Sequence, residues 1–397
     1  IVLVKSKFDE FHCTGFYLPA GHAAKISVLE GNHTGWFVRI GSHTDDLSSM
    51  AFLNRWPSVC SVIKLKKFMT ISSAFGGIVY LCSPKGNSTI KLRLENVVET
   101  PYFDLAREHS LTTWVKCRSA PGLWAELCGK HISFTVPSSS IRHLNDPTDA
   151  LKLWDQIVAS NHELRGTDAK NTWRERVVVD IQPQGGIMHA GYPIVITYDF
   201  VKPHTNLYIF DKANIMAGSH WSVIHELAHN MQRLCWTPKT ALEVTVNIFT
   251  LHAFDQCLGK KPWLNRFLRE RIDDKQLDAH ALKGFTFKDW CLNSNVALFI
   301  YAQLINAFGW EAFKQIFREY ESLNEKEKLF ASDLDKWDTW ICRFSNIVEL
   351  DVSPLFYFWS IPFSDEPGTN LNDLTPWLPD DEITRKYTDR VRLVKIR

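Results

Sequence analysis

The spacing of apolar and polar positions changes character along this chain. From about residue 11 to residue 136 the apolar residues come in short, β-rich runs. Ile90-Lys91-Leu92-Arg93-Leu94-Glu95 alternates strictly, which sends one face of a strand to a core and the other to water. Residues 35–40, 62–71, 77–81 and 131–136 are further runs, separated by turn residues such as Pro84-Lys85-Gly86-Asn87 and Pro121-Gly122. Several short strands with frequent turns predict a β-sandwich. Residues 137–140 read as a linker, and Asn145-Asp146-Pro147-Thr148 supplies cap and first-turn residues for a helix at 149–161. Strand-like segments follow at 176–181, 194–198 and 206–210. The loop Gly185-Gly186-Ile187-Met188-His189-Ala190-Gly191-Tyr192-Pro193 joins the first two.

Helical spacing then takes over. Helices are predicted at 222–235 and 239–257, joined by a turn at Trp236-Thr237-Pro238, and the chain beyond residue 260 reads as largely helical. Phe313 and Phe317, spaced by four, read as a buried stripe. Leu355-Phe356-Tyr357-Phe358-Trp359 is expected to pack beneath or beside the preceding domain. The predicted fold is multidomain α+β: a β-sandwich at 1–137, a zincin-type catalytic domain at 138–275 and a mainly helical region at 276–397 packing on it.

Length and charge narrow the functions. At 397 residues two or three domains are expected. The composition, 45% hydrophobic and 22% charged with net charge +1, is that of a globular protein without the electrostatic footprint of a nucleic-acid or anionic-membrane binder. No membrane span is expected. The chain opens Ile1-Val2-Leu3-Val4 with neither an initiator Met nor a signal-like segment, and so reads as an excised domain or mature fragment. The sequons Asn32-His33-Thr34 and Asn87-Ser88-Thr89 suit an extracellular or cell-surface protein. Nine cysteines without a C-x-x-C pair disfavour a disulfide scaffold or a cysteine zinc site. His43, Asp45 and Asp46 read as a solvated loop.

The chemistry lies in residues 219–236. His225-Glu226-Leu227-Ala228-His229 is an H-E-x-x-H. On a helix, positions i and i+4 share a face, so His225 and His229 can direct two imidazoles at one zinc ion, with Glu226 beside them as general base. A catalytic zinc takes three protein ligands and keeps one position open. The metzincin continuation fails, because Gln232 and Cys235 occupy its glycine and third-histidine positions. The candidate third ligand is Glu243, on the helix after the Pro238 turn; Cys235 is the alternative, although a helical cysteine there also suits a core. Asn247, one turn beyond Glu243, is a candidate outer-shell acceptor for a zinc-bound histidine. His189 and Tyr192, in the glycine-rich loop, are candidate donors to the oxyanion of a cleaved peptide bond.

These residues form a recognisable ensemble. Gly185-Gly186-x-x-His189-x-Gly191-Tyr192-Pro193, then Gly218-x-x-Trp221-x-x-x-His225-Glu226-x-x-His229-Asn230-x-Gln232, then Glu243-Val244-Thr245-Val246-Asn247, resembles the enhancin-like, mucin-degrading zinc metallopeptidases of family M60. Ala302-Gln303-Leu304 with Ala307-Phe308-Gly309-Trp310, Phe313 and Tyr320 is similar to that family's helical part. Arg39-Ile40-Gly41-Ser42-His43-Thr44-Asp45-Asp46-Leu47 is similar to the sandwich of its animal members, which include TRP channel-associated factors. Nearly the whole chain is covered. The resemblance implies gluzincin-type proteolysis of O-glycosylated, mucin-like proteins, with Zn2+ held by His225, His229 and Glu243 and with Glu226 as base. It equally implies an alternative, a non-catalytic interaction module that retains the zinc site, partners a membrane protein and sits on the cytoplasmic face of the plasma membrane. Ala228 stands where glycine is frequent in the family, a change that suits a helix. Carbohydrate binding by the sandwich is a third possibility, resting on fold analogy and exposed aromatics.

Overall fold

In the computed structural model, which describes residues 1–107, 111–262, 274–329, 332–364 and 371–395, the alternating N-terminal runs build two antiparallel sheets. Val2–Ser6, Ser88–Glu95, Ala23–Glu30 and Phe68–Ser72 form one, in that order. Ser61–Lys64, Phe37–Ile40, Gly77–Cys82, Phe11–Leu18 and Val98–Glu99 form the other. Register follows the apolar pattern, with Val2 opposite Leu92 and Val4 opposite Ile90. Val4, Ile26, Ile71, Ile90 and Leu92 meet Val38, Ile40, Val79 and Leu81 in one shared core, as a sandwich requires. The run 62–71 is two strands rather than one. Buried Leu65, whose N–H donates to the Trp36 carbonyl, carries the chain from one sheet to the other.

Gly77–Cys82 is buried on both faces. Val79 and Leu81 enter the sandwich core, while Ile78 and Tyr80 join Phe11, Cys13 and Tyr17 in a second cluster. Trp124 and Tyr102, from a third sheet, and Tyr192, from a loop between two of its strands, pack against that cluster. This sheet runs Tyr102–Asp104, Trp124–Cys128, Ile132–Pro137, Glu175–Asp180, Ile194–Thr197, Met188–His189. The strand at 131–136, expected in the sandwich, therefore pairs elsewhere: Phe134 lies opposite Val177, parallel across the predicted linker. Both partners are buried along nearly their whole length, the pattern of a parallel pair covered on two faces. The strand expected at 206–210 does not form. Tyr208, Ile209 and Phe210 are buried, but turn bonds (Tyr208 N–H to Thr205, Asp211 N–H to Tyr208) take the place of a ladder.

The chain divides into two compact units, residues 1–159 with 168–227 and residues 160–167 with 228–397. The first holds all three sheets and the second is helical. The helical unit is filled by aromatic rings. Trp340 stacks on Phe344 at 4.8 Å, with Phe313 and Phe356 against them. Phe313 and Phe317 are both fully buried. Against the expectation of no span, Ser294–Ser322 is apolar and long enough to cross a membrane by length and composition, with mean hydropathy 1.3. It is also 67% buried inside the protein over its most apolar window, and Gly309 breaks it at φ 73°. A core helix of a folded unit has the same properties.

Candidate metal centre and active site

The helix Trp221–His229 follows a left-handed Gly218, at φ 85°, that ends the short helix Lys212–Ala217. Val223, Ile224, Leu227 and Ala228 are fully buried, so the amphipathic spacing leaves His225, Glu226 and His229 half-exposed on the opposite side. His220 anchors the start: its Nε2 lies 3.1 Å from the Leu207 carbonyl, and burial pushes its pKa down to about 4. The helix stops at His229, six residues short of its expected end. Tight turn bonds from Met231 to Ala228 and from Gln232 to His229 replace the helical ladder, and they allow Cys235 and Trp236 to bury.

After the turn at Lys239–Ala241, the helix Leu242–Leu258 carries Glu243 in its exposed first turn, where a negative charge also suits the helix dipole. Glu243 Oε2 is 3.6 Å from His229 Nε2. One ligand atom from each of His225, His229 and Glu243 lies within 4.8 Å of the other two. Two imidazole nitrogens and a carboxylate oxygen at this spacing fit a zinc ion with one position left open. Cys235 is buried and stands outside this group, and burial raises its thiol pKa.

Gln232, to which sequence reading assigned no role, orients His229. Gln232 Nε2 donates to the Leu242 carbonyl (2.9 Å) and to Thr245 Oγ1 (2.8 Å), so its Oε1 is left as an acceptor. His229 Nδ1–H donates to that oxygen at 2.7 Å. The bond fixes the tautomer and turns the Nε2 lone pair toward Glu243. His229 thus has its acceptor in Gln232. Asn247 is buried and its Nδ2 donates back to the Glu243 carbonyl at 2.9 Å. The one local signal was position: Gln232 stands three residues after His229.

The glycine-rich loop forms the edge of the third sheet, with His189 opposite Val195. His189 Nε2 lies 2.9 and 3.1 Å from the two carboxylate oxygens of Asp45, and its Nδ1 lies 2.8 Å from the Ala190 carbonyl. Both nitrogens face acceptors, an arrangement that favours the protonated ring. The Asp45 hydrogen bond raises its pKa most, and the Glu226 carboxylate adds to the rise. Both N–H groups are engaged, which corrects the expectation that His189 offers one to an oxyanion. The supposed solvated loop is corrected as well. Asp45 is buried and His43 Nε2 donates to the Val179 carbonyl at 2.9 Å, which leaves only Asp46 in water.

Tyr192 faces away from this chemistry. Its ring meets Phe11 edge-on at 4.9 Å and Trp173 at 6.1 Å, and its hydroxyl is buried beside Arg176. Burial pushes the phenol pKa up to about 12. Tyr192 is a packing residue between sheets, not an oxyanion donor.

Residues 96–360 match the family described as peptidase M60, enhancin and enhancin-like, and residues 2–95 match the N-terminal domain of M60-like peptidases. TRPM8 channel-associated factor 2 of Homo sapiens is 32% identical over 375 residues, covering 92% of this chain and 39% of that protein. The TRPM8 channel-associated factor homolog of Xenopus laevis is 33% identical over 384 residues, covering 94% and 41%. This chain thus spans about two fifths of these relatives. Among solved structures, a functionally unknown conserved protein from Bacillus anthracis superposes with a TM-score of 0.72 at 21% identity, covering 95% of this chain and 75% of that one. IMPa from Pseudomonas aeruginosa, solved in complex with an O-glycopeptide, superposes with a TM-score of 0.66 at 14% identity, covering 95% and 51%.

Proposed function

This chain belongs to the peptidase M60 family, and on that premise we propose that it is a zinc-dependent endopeptidase of the gluzincin type, acting on O-glycosylated, mucin-like proteins. The observation that carries the reading is the donor set of His225, His229 and Glu243, whose ligand atoms lie within 4.8 Å of one another. Zinc bound there supplies Lewis acidity, polarising a peptide carbonyl and making water a nucleophile near neutral pH. His225, His229 and Glu243 would hold the ion, and Gln232 keeps His229 in the tautomer that coordination needs. Glu226 takes a proton on a carboxylate oxygen and delivers it to the departing amine. The substrate class has support from IMPa, a protein of the same fold that was solved with an O-glycopeptide.

The names of the relatives favour a second reading. Proteins 32–33% identical to this chain are called TRPM8 channel-associated factors, so a non-catalytic module that retains the site and binds a membrane protein is the competitor. Zinc stoichiometry and cleavage of an O-glycoprotein, measured for wild type and Glu226→Gln, separate the two. The peptidase reading expects one zinc per chain in both proteins and a loss of cleavage of about 10²–10⁴-fold in the variant. Stoichiometric zinc with no cleavage of any glycoprotein or peptide by wild type would sink it in favour of the competitor.

A further inference from the structure

We propose that Asp45, on a loop of the N-terminal sandwich, is the positioning residue that fixes His189 and the glycine-rich loop 185–191. The proposal rests on the peptidase reading for its kinetic consequence only. Asp45 follows the strand Phe37–Ile40, and its side chain is 4% exposed. Its carboxylate holds the loop at two points: Gln184 N–H donates to Oδ2 at 2.8 Å, and His189 Nε2–H donates across both oxygens. The segment behind it is tied to the same stretch of chain. Arg55 pairs with Asp180 at 2.8 Å and donates to the Asp45 carbonyl at 3.2 Å. Gln182 accepts from Asn54 N–H at 2.6 Å and donates to the Phe52 carbonyl at 3.0 Å.

The loop needs such ties. Gly186 sits at φ 65° and Gly191 at φ 132°, conformations that glycine allows but that carry no rigidity of their own. A Cβ at Gly185 would lie 3.4 Å from His189 Cβ, so the backbone folds closely over the ring it presents. A buried carboxylate is costly unless paired, and Asp45 finds its counter-charge in His189, whose second N–H is taken by Ala190. The charged groups around the ring are Asp45, Arg55 behind it and Glu226. His189 is therefore fixed on the edge strand, held in place from the sandwich.

The test uses the full chain with zinc, comparing wild type with Asp45→Asn and with Asp46→Asn, the exposed neighbour, as control. Three quantities are read: the His189 ring pKa by NMR titration, amide exchange of residues 184–191, and kcat and KM on an O-glycopeptide. Asp45→Asn is expected to lower the ring pKa toward the ordinary ~6.5 and to speed exchange across the loop by about 10-fold or more. It is also expected to cut kcat by on the order of 10²-fold while KM changes less, as for a misplaced but intact site. Zinc content stays the same, and Asp46→Asn behaves as wild type. An unchanged ring pKa and unchanged loop exchange in Asp45→Asn overturn the proposal. If both respond but wild type cleaves nothing, the anchor stands and the peptidase reading fails. If Asp45→Asn does not fold, His189→Gln replaces it: faster loop exchange and lower kcat at retained zinc content support the anchor, and wild-type values of both overturn it.

Discussion

The unit that bears the sheets and the helical unit close their interiors by different means. In the first, Arg176 and Glu126 of the third sheet are buried as an ion pair against Tyr80 and Phe11 of the sandwich. Tyr80 Oη donates to Glu126 at 2.9 Å, Thr135 Oγ1 donates to it at 2.7 Å, and Arg176 Nη2 donates to the Phe11 carbonyl at 2.9 Å. In the second, rings fill the space: Trp236, Phe249 and Phe317 lie with centroids 4.8 to 5.8 Å apart, and Trp340 stacks on Phe344. The difference follows from geometry. A central strand with both faces covered must bury every residue, including the polar ones, and each of those needs a partner from a distant strand. A helix can turn its polar residues outward and bury only an apolar stripe. The sheet unit is thus specified by pairings and the helical unit by filled volume.

The largest effect expected from breaking this contrast is at the ion pair. Arg176→Met leaves Glu126 charged and buried, and denaturant unfolding should show a loss of about 3–5 kcal/mol, most of it recovered in the double variant Arg176→Met/Glu126→Leu. A loss below about 1 kcal/mol in the single variant would mean that the network is not what specifies the sheet unit.

Next in size is acid sensitivity of the helical unit. His252 is fully buried with Nδ1 2.8 Å from Ser160 Oγ, and burial pushes its pKa down to about 4. The unfolded histidine titrates near ~6.5, so between those values the unfolded state binds the extra proton. Its contribution is intact above ~6.5 and is lost as pH falls toward 4, on the order of 3 kcal/mol in all. His189 has the opposite sign: its pKa is raised by Asp45, so its contribution is full below ~6.5 and fades as pH rises through the raised value. Unfolding of wild type and His252→Asn at pH 7 and pH 5 should show a smaller acid loss in the variant. Equal losses would move the acid sensitivity elsewhere.

The smallest effect concerns the donor group. Gln232→Ala should weaken zinc binding by about 10–100-fold, whereas Cys235→Ala should leave it unchanged, as competition with a chelating dye would measure. Equal losses from the two would return Cys235 to the ligand set.

Local patterns and distant contacts were not equally legible. The period-two run at 90–95 and the spacing of His225 and His229 follow from backbone geometry over a few residues, so both could be read directly. Glu243 was within reach because the Pro238 turn limits where the next helix can go. Gln232 lay in view without a role, because its Nε2 partners, Leu242 and Thr245, are contributed by the next helix. The strand at 131–136 was given to the wrong sheet because a β-rich run does not name its neighbour. Tyr192 and His189 are nearly adjacent in the chain, yet they serve different surroundings, since the loop turns at Gly191 between them.

What the sequence determined by itself is the periodic part: sheets first and helices after, with two imidazoles and a nearby carboxylate able to share a metal. What only the tertiary structure decided is which polar side chain answers which. Asp45 meets His189 across 144 residues and Arg176 meets Glu126 across 50. Such pairs leave no periodic trace, because a buried charge is stabilised by whatever lies beside it in space.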